Sequence, residues 1–561
     1  MVRLFPPLTL ALLILPVLAG IVGTLLPALG IAPGIGVPVG LSLDPVRELL
    51  AFPGIWRSAA LSLWIGLAAG LLSFLVVIGA VIAALGTPWF ERLSRACLPV
   101  LALPHVAAAL GLAFLLAPSG WIVRALSPGL TGWTLPPDWA TVQDPYGLAA
   151  ILCLTLKESA YLLLMVGAAL GQIPAQRSLN ISRSLGHDPA RAVLLGVLPQ
   201  LYPLIRLPVY AILAYGISTL EIALILGPTT PPTLAVLVLQ GFSDPDLSAH
   251  LPAAAGAILQ LILVVIGLGL WWLGERACVA LARRWSRSGP APASARQGWR
   301  LSVGREGYGT GIVLCLVLAA GVLLALALWS VTWRWPWPEP WPTDFSLRLW
   351  LQQESRLLWL LQNSLSVALA STALALILAL GCLEYERRLD RHPSRWVEGL
   401  IYLPLLVPQI GFLFGVQVFV VAGGLDGGLL AVTLLHLLFV LPYVYLALAG
   451  PYRRLDPRYA RTAQCLGAGA NRQFWRVVLP LIARPILFAA AIGIAVSTAQ
   501  YLPTLFAGGG RVPTLTTEAV SLAAGADRRL IGLHGFLQSL LPLIALSLAL
   551  LWPLRGERRP Q

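Results

Sequence analysis

A chain of 561 residues in which 58% are hydrophobic and only 11% charged is too apolar for a water-soluble domain. Its net charge of +14, from 38 Lys and Arg against 24 Asp and Glu, would suit nucleic acid if the basic residues gathered on one surface. They lie instead in short loops between long apolar runs, so the excess charge reports membrane topology and excludes a nucleic-acid partner.

A membrane-crossing helix needs about 20 consecutive apolar residues. Stretches that meet this requirement fall near 8–29, 58–85, 98–117, 147–171, 201–226, 253–274, 309–331, 360–383, 399–421, 429–450, 482–503 and 531–554. The pattern predicts an all-α polytopic membrane protein of about twelve transmembrane helices. The first stretch, after Arg3, exceeds the apolar core of about 7 to 15 residues that marks a cleavable signal, so an uncleaved span is expected. Arginines concentrate before the first span and after each even-numbered one, which places both termini in the cytoplasm. Cys97, Cys153, Cys278, Cys315, Cys382 and Cys465 show no metal-ligand spacing, and neither a disulfide nor a metal site is expected.

Two polar segments interrupt this pattern. Between the fourth and fifth spans, Asn180 to Pro199 reads NISRSLGHDPARAVLLGVLP; between the tenth and eleventh, Arg461 to Pro480 reads RTAQCLGAGANRQFWRVVLP. In each, a glycine (Gly186, Gly467) ends a short helix and a Leu-Pro pair (Pro199, Pro480) leads into the next span. Both elbows face the cytoplasm by the arginine distribution, which suggests two docking points for one soluble partner. Arg472, Phe474, Trp475 and Arg476 in the second elbow, and Asp188 and Arg191 in the first, could pack against or pair with that partner.

The elbows belong to an internal repeat. A shift of 281 aligns Gly186 with Gly467, Pro199 with Pro480, Pro232-Thr233-Leu234 with Pro513-Thr514-Leu515, and Asp246 with Asp527. A shift of 304 aligns Leu61-Ser62 with Leu365-Ser366, Pro104 with Pro408 and Gly111 with Gly415. The difference places extra residues of the first half in an external loop, within Trp121 to Tyr146. The expected organisation is therefore two parallel six-helix halves, 1–280 and 307–561, joined by a cytoplasmic linker, 281–306, that carries Arg283, Arg284 and Arg287. Parallel repeats of this kind leave a substrate route at their interface.

The doubled elbow resembles the "EAA" loop of permeases of binding-protein-dependent ABC importers: Glu-Ala-Ala, three residues, Gly, then Leu-Pro after a fixed gap. The fused layout resembles the iron(III) and thiamine type, with a YnjC-like subgroup as one candidate. The resemblance implies a type I ABC importer permease in the bacterial inner membrane. It also implies a cytoplasmic ABC ATPase dimer seated on the elbows, a periplasmic solute-binding protein and a small-molecule or ion substrate. The chain departs from the pattern at Asn180-Ile181-Ser182 and Arg461-Thr462-Ala463, where the family has Glu-Ala-Ala. Neither glutamate is present here; the Gly turn and the spacing are kept.

The chain has no means of hydrolysing ATP, because a P-loop needs Gly-Lys and the single lysine, Lys157, follows Leu156 inside a span. No cofactor is expected in this chain; ATP belongs to the partner subunit. Ionisable groups inside spans cost roughly 2.5–3.5 kcal/mol each on insertion scales and need a reason. Lys157 and Glu158 in span four, His436 in span ten, and Glu221 with Gln500 in spans five and eleven are candidates to line the translocation path. Each also has a structural reading as a buried packing contact. Glu221 and Gln500 come into register when Ser218-Thr219-Leu220-Glu221 is set on Ser497-Thr498-Ala499-Gln500. The run Trp329 to Pro342 is expected to anchor at the membrane interface. A secondary transporter using Lys157, Glu158 and Glu221 as ion-coupling sites is the alternative. A membrane enzyme finds no nucleophile-base constellation to support it.

Overall fold

The computed structural model describes residues 2–31, 40–287, 305–391, 393–425, 427–525 and 527–551. The principal helices, in chain order, are α1 (Phe5–Ala28), α2 (Ile55–Ala84), α3 (Pro88–Ala102), α4 (His105–Leu116), α5 (Leu148–Leu170), α6 (Ala175–Ser184), α7 (Leu198–Ser218), α8 (Glu221–Leu226), α9 (Leu234–Phe242) and α10 (His250–Arg287). They continue with α11 (Thr310–Val331), α12 (Glu354–Leu389), α13 (Ile410–Ala422), α14 (Leu429–Arg453), α15 (Pro457–Cys465), α16 (Ala470–Gln473), α17 (Ala483–Thr498), α18 (Leu502–Gly508), α19 (Leu515–Ala523) and α20 (Arg528–Leu551). Among the described residues, the strands Thr332–Arg334 and Asp344–Phe345 form one small antiparallel pair.

Among the described residues ten helices are long and apolar enough to cross a membrane, or up to 11 if a bent pair counts as one span. The remaining expected span, 399–421, is divided into Arg395–Ile401, Leu403–Leu406 and α13. Proline explains this break and its counterpart in span three. Leu103 and Val407 precede Pro104 and Pro408, and both adopt extended backbone (ψ 121 and 127) because a proline disfavours helix in the residue before it. The stretch 98–117 is thus two helices, α3 and α4, meeting at a corner. Spans five and eleven break as well, at Thr219-Leu220 and across Ala499 to Tyr501. The helix α10 runs well past the expected end at 274, to Arg287, and the linker residues 288–304 lie outside the described residues.

The repeat is visible in the packing, with two corrections of register. Ser62 Oγ accepts the Leu234 N–H at 3.0 Å, and Ser364 Oγ accepts the Leu515 N–H at 3.0 Å. Leu234 and Leu515 are the aligned pair, so Ser62 corresponds to Ser364 and the expected match to Ser366 is two residues off. Helices that are apolar all round carry too little periodicity to fix such a register. Likewise the broken fifth spans resume at Glu221 in α8 and at Leu502 in α18. Gln500 sits within the break, so it is not the structural counterpart of Glu221.

The first helix of each half crosses to the other half. α1 packs along α13 and α12, and α11 packs along α4 and α20. Close approach at both crossings explains the aligned pair Gly111 and Gly415. A methyl group at Gly415 would overlap the Gly20 carbonyl of α1, and one at Gly111 would fall 2.8 Å from the Val322 carbonyl of α11. Thr24 seals the first crossing by accepting the Gly415 N–H at 3.2 Å and donating to Gly20 O at 2.9 Å. Since the obstacle at Gly415 is backbone and cannot swing aside, Gly415→Ala is expected to destabilise the protein by about 1–3 kcal/mol. A lowered midpoint of thermal unfolding in detergent checks this.

Candidate coupling elbows and the polar groups inside the spans

The two elbows have one backbone geometry. α6 and α15 each end in a left-handed glycine, Gly186 at φ +83 and Gly467 at φ +80. Around the first, Gly186 N bonds Arg183 O at 2.9 Å and His187 N bonds Ser182 O at 3.3 Å; around the second, Gly467 N bonds Gln464 O and Ala468 N bonds Ala463 O, both at 2.9 Å. This is the doubly bonded helix stop that satisfies the last carbonyls and requires a residue at ease with positive φ. Among the described residues, and apart from the adjoining backbone, no heavy atom lies within 4 Å of a methyl built on either glycine, so the requirement is conformational.

The chain then re-enters helix. In the first elbow Asp188 Oδ1 accepts the Arg191 N–H at 2.9 Å, with Pro189 in the first turn, so Asp188 is a helix cap. Both elbows next widen into a π-helical turn, Ala192–Val197 and Phe474–Val478, just ahead of Leu198-Pro199 and Leu479-Pro480. Proline removes one donor and crowds the carbonyl four residues back, and a wider turn relieves both. The elbows then diverge. The first continues as one long helix, Pro189–Ser218, whereas the second, Ala470–Leu481, meets Ala483–Thr498 at 74°. Pro485 there cannot donate to Leu481 O.

Asn180, Pro199, Arg461, Arg472, Trp475, Arg476 and Pro480 are exposed, as are both glycines. Asn180 Oδ1 accepts from Gln176 Nε2 at 3.1 Å on the same helix. Leu185 and Leu466, aligned by the shift of 281, are 66% and 82% exposed at the two elbow tips, an unusual position for an aliphatic side chain. The Leu-Gly pair in each copy was the signal for them, hidden because leucine is common throughout the chain.

Inside the spans the ionisable groups brace the helix breaks. Lys157 Nζ donates to Val100 O at 2.7 Å, to Leu101 O at 3.2 Å and to Leu103 O, all at the C-terminal end of α3. Glu158, one residue along α5, lies 3.5 Å from His105 Nε2 at the start of α4. The two neighbours thus face opposite sides of one break, as their separation of about 100° around a helix allows. His105 also packs on Tyr215 of α7, with ring centroids 4.8 Å apart. Sequence reading overlooked His105, although it follows Pro104 as Gln409 follows Pro408.

His436 does for span eleven what Lys157 and Glu158 do for span three. Its Nδ1 meets Ser497 Oγ and its Nε2 meets Thr504 Oγ1, both at 2.8 Å, spanning the gap between α17 and α18. Thr504 also donates to Gln500 O at 2.9 Å. Thr498 O, freed by the break, accepts from Thr516, which in turn accepts from Gln538 Nε2 at 2.7 Å; in the first half Gln260 Nε2 donates to Ile217 O at 3.0 Å. Glu221 is buried at the first residue of α8, against α4 and α5. The candidate path residues therefore form two groups, Lys157, Glu158 and Glu221 around α5, and His436 with Gln500 around the α17–α18 break.

On the side opposite the elbows, the tryptophan run is a clamp between loops. Buried Arg124 donates to Ser119 O at 2.9 Å and Pro336 O at 2.7 Å and lies over the rings of Trp335 and Trp337. Trp121 Nε1 donates to Pro340 O at 3.0 Å, and Arg528 donates to Ser119 Oγ at 2.7 Å.

An all-helical membrane bundle with broken spans and two elbows of matched geometry defines an inner-membrane transport permease, and comparison with known proteins agrees. The chain belongs to the family of binding-protein-dependent transport system inner membrane components, whose profile matches residues 369–552. It is similar to the inner membrane ABC transporter permease protein YnjC of Escherichia coli (strain K12), at 31% identity over 513 residues covering 91% of each chain. Neither description specifies a solute. A permease of this family is a transport component and not an enzyme.

Proposed function

We propose that the chain alone supplies both permease halves, 1–280 and 307–561, of an ATP-driven importer for a small molecule or ion. The elbows at 180–199 and 461–480 sit on a cytoplasmic ABC ATPase dimer, which binds the nucleotide, and both termini lie on that side. A periplasmic solute-binding protein delivers its cargo to the opposite face. Closure of the ATPases on ATP draws the elbows together and turns the path outward; hydrolysis resets it.

The single observation that carries this reading is the pair of glycine stops with matching φ and hydrogen bonds, each presenting an exposed leucine, Leu185 or Leu466, on a polar loop. A hydrophobic knob flanked by Asn180, Arg183, Arg461 and Arg472 fits a groove of mixed character in a soluble protein. The proposed roles divide accordingly. Gly186, Asp188, Arg191, Pro199, Gly467 and Pro480 shape the elbows. Glu221 and Gln500 line the path. Lys157, Glu158 and His436 are engaged with the helix breaks, which argues against ion coupling through them. Gentle extraction from native membranes is expected to recover an ATPase with the chain. Uptake in sealed vesicles should require ATP and the partner proteins, and uptake by the purified chain under an ion gradient alone would overturn the reading.

A further inference from the structure

We infer that Arg388 and Glu384 form a stiff strut that carries movement of the second elbow into α12 and α14, and that among the described residues the first elbow has no charged counterpart of this pair; this rests on the elbow reading above. Glu384 is buried near the end of α12, where its carboxylate accepts from Arg387 Nη2 at 2.7 Å, from Arg388 Nε at 2.6 Å and from the Tyr452 hydroxyl of α14. A second nitrogen of the same Arg388 guanidinium reaches the elbow. Its Nη2 donates to Asn471 Oδ1 at 3.1 Å and Ala470 O at 3.3 Å, in the first turn of α16 just past the Gly467 stop. One planar group thus ties the elbow to a buried anchor. A guanidinium fork fixes direction as well as distance, which an ammonium cannot.

The anchor is itself held on both sides. Glu386 accepts from the Tyr445 hydroxyl at 2.8 Å and from Arg453 Nε at 2.9 Å, while Arg453 Nη1 reaches Glu398 at 2.9 Å. Buried charges of this kind persist only when fully paired, so Glu384 keeps its hold on Arg388, while the exposed hydrogen bonds from Arg388 to Asn471 and Ala470 are the contact through which the elbow pulls. In the register set by Ser62 and Ser364, the first half has Ile82, Ala84 and Gly86 where the second has Glu384, Glu386 and Arg388. The equivalent end of α2 is apolar, and its Gly86 abuts Gln176 of α6 without a charged side chain. The 74° bend that follows the second elbow alone makes an extra link useful there, since a bent helix transmits axial force poorly.

Arg388 and Glu384 are positioning residues, so their test must separate linkage from folding. The whole complex, with its ATPase in lipid nanodiscs and with the exposed native thiols removed by Cys278→Ser and Cys465→Ser, carries spin labels at Ser243→Cys and Ala524→Cys, exposed and aligned sites on the face opposite the elbows. MgATP with vanadate is expected to shift the distance between the labels in the chain with native Arg388. In Arg388→Met that shift is expected to be lost while ATPase binding and ATP hydrolysis persist, a pattern that a general folding defect does not produce. Should the Met variant fail to assemble, Arg388→Lys decides, because lysine keeps the charge beside Glu384 but lacks the planar fork that fixes the direction of the link; the shift should again be lost. A full shift in an assembled Met or Lys variant overturns the strut. Absence of any ATP-driven shift, or of a bound ATPase, in the chain with native Arg388 overturns the importer reading instead, and the strut with it.

Discussion

A Gly186→Val, Gly467→Val double variant is expected to insert and fold yet to lose ATP-driven uptake. Both glycines hold φ near +80 with open space around them, so valine meets no clash except with its own backbone. A β-branched residue in this conformation costs about 1–3 kcal/mol. The cheapest relief is to unwind the helix stop, which turns Leu185 and Leu466 away from their present bearing. Buried packing elsewhere is untouched, and the amount of protein in the membrane should not fall. Asn, which tolerates the left-handed region, is expected to retain more uptake than Val at the same sites. Uptake normalised to membrane-inserted protein checks the prediction, and normal uptake by the valine variant would refute it.

Lys157→Met is expected to be the most destabilising of the in-span substitutions. The lysine closes off three carbonyls at the end of α3, which Pro104 leaves without helical partners. Each buried acceptor deprived of its donor costs about 1–3 kcal/mol, so the loss is on the order of 3 kcal/mol or more. Removing Lys157 also leaves Glu158 beside His105 without the adjacent positive charge. By contrast Glu221→Ala deletes a carboxylate whose backbone hydrogen bonds are local, to Leu220 and to its own residue, and its effect is expected in solute handling more than in assembly. Thermal unfolding in detergent separates the two: a large drop for Lys157→Met and a small one for Glu221→Ala. Equal midpoints would remove Lys157 from its bracing role.

The elbows were legible because their signals are local. A glycine that must take positive φ and a Leu-Pro that must start a helix mean the same wherever they occur, and the spacing between them repeats. Pro104 and Pro408 were equally visible, yet they served only to align the halves, since a long apolar stretch reads as one span even when proline divides it. The break at Thr219-Leu220 has no proline and no local signal; it is set by the neighbours that satisfy it, Gln260 among them. For the same reason Lys157 and His436 could be singled out but not assigned. Their partners, Val100 to Leu103 and Ser497 with Thr504, are distant in sequence. The cluster of Glu384, Arg388 and Asn471 was invisible too, because each of its members alone is an ordinary charged or polar residue at a loop edge.

The exchange of leading helices has a consequence for how such a molecule could arise and persist. With α1 wedged along α13 and α11 along α4, the halves are interlocked like clasped hands, by a grip that the helices make themselves and that is separate from the peptide joint between them. Cutting that joint would leave two pieces unable to drift apart without pulling an oily rod from its neighbour's groove. Fusion into one polypeptide therefore adds matched supply and a fixed pairing to a grip that already exists.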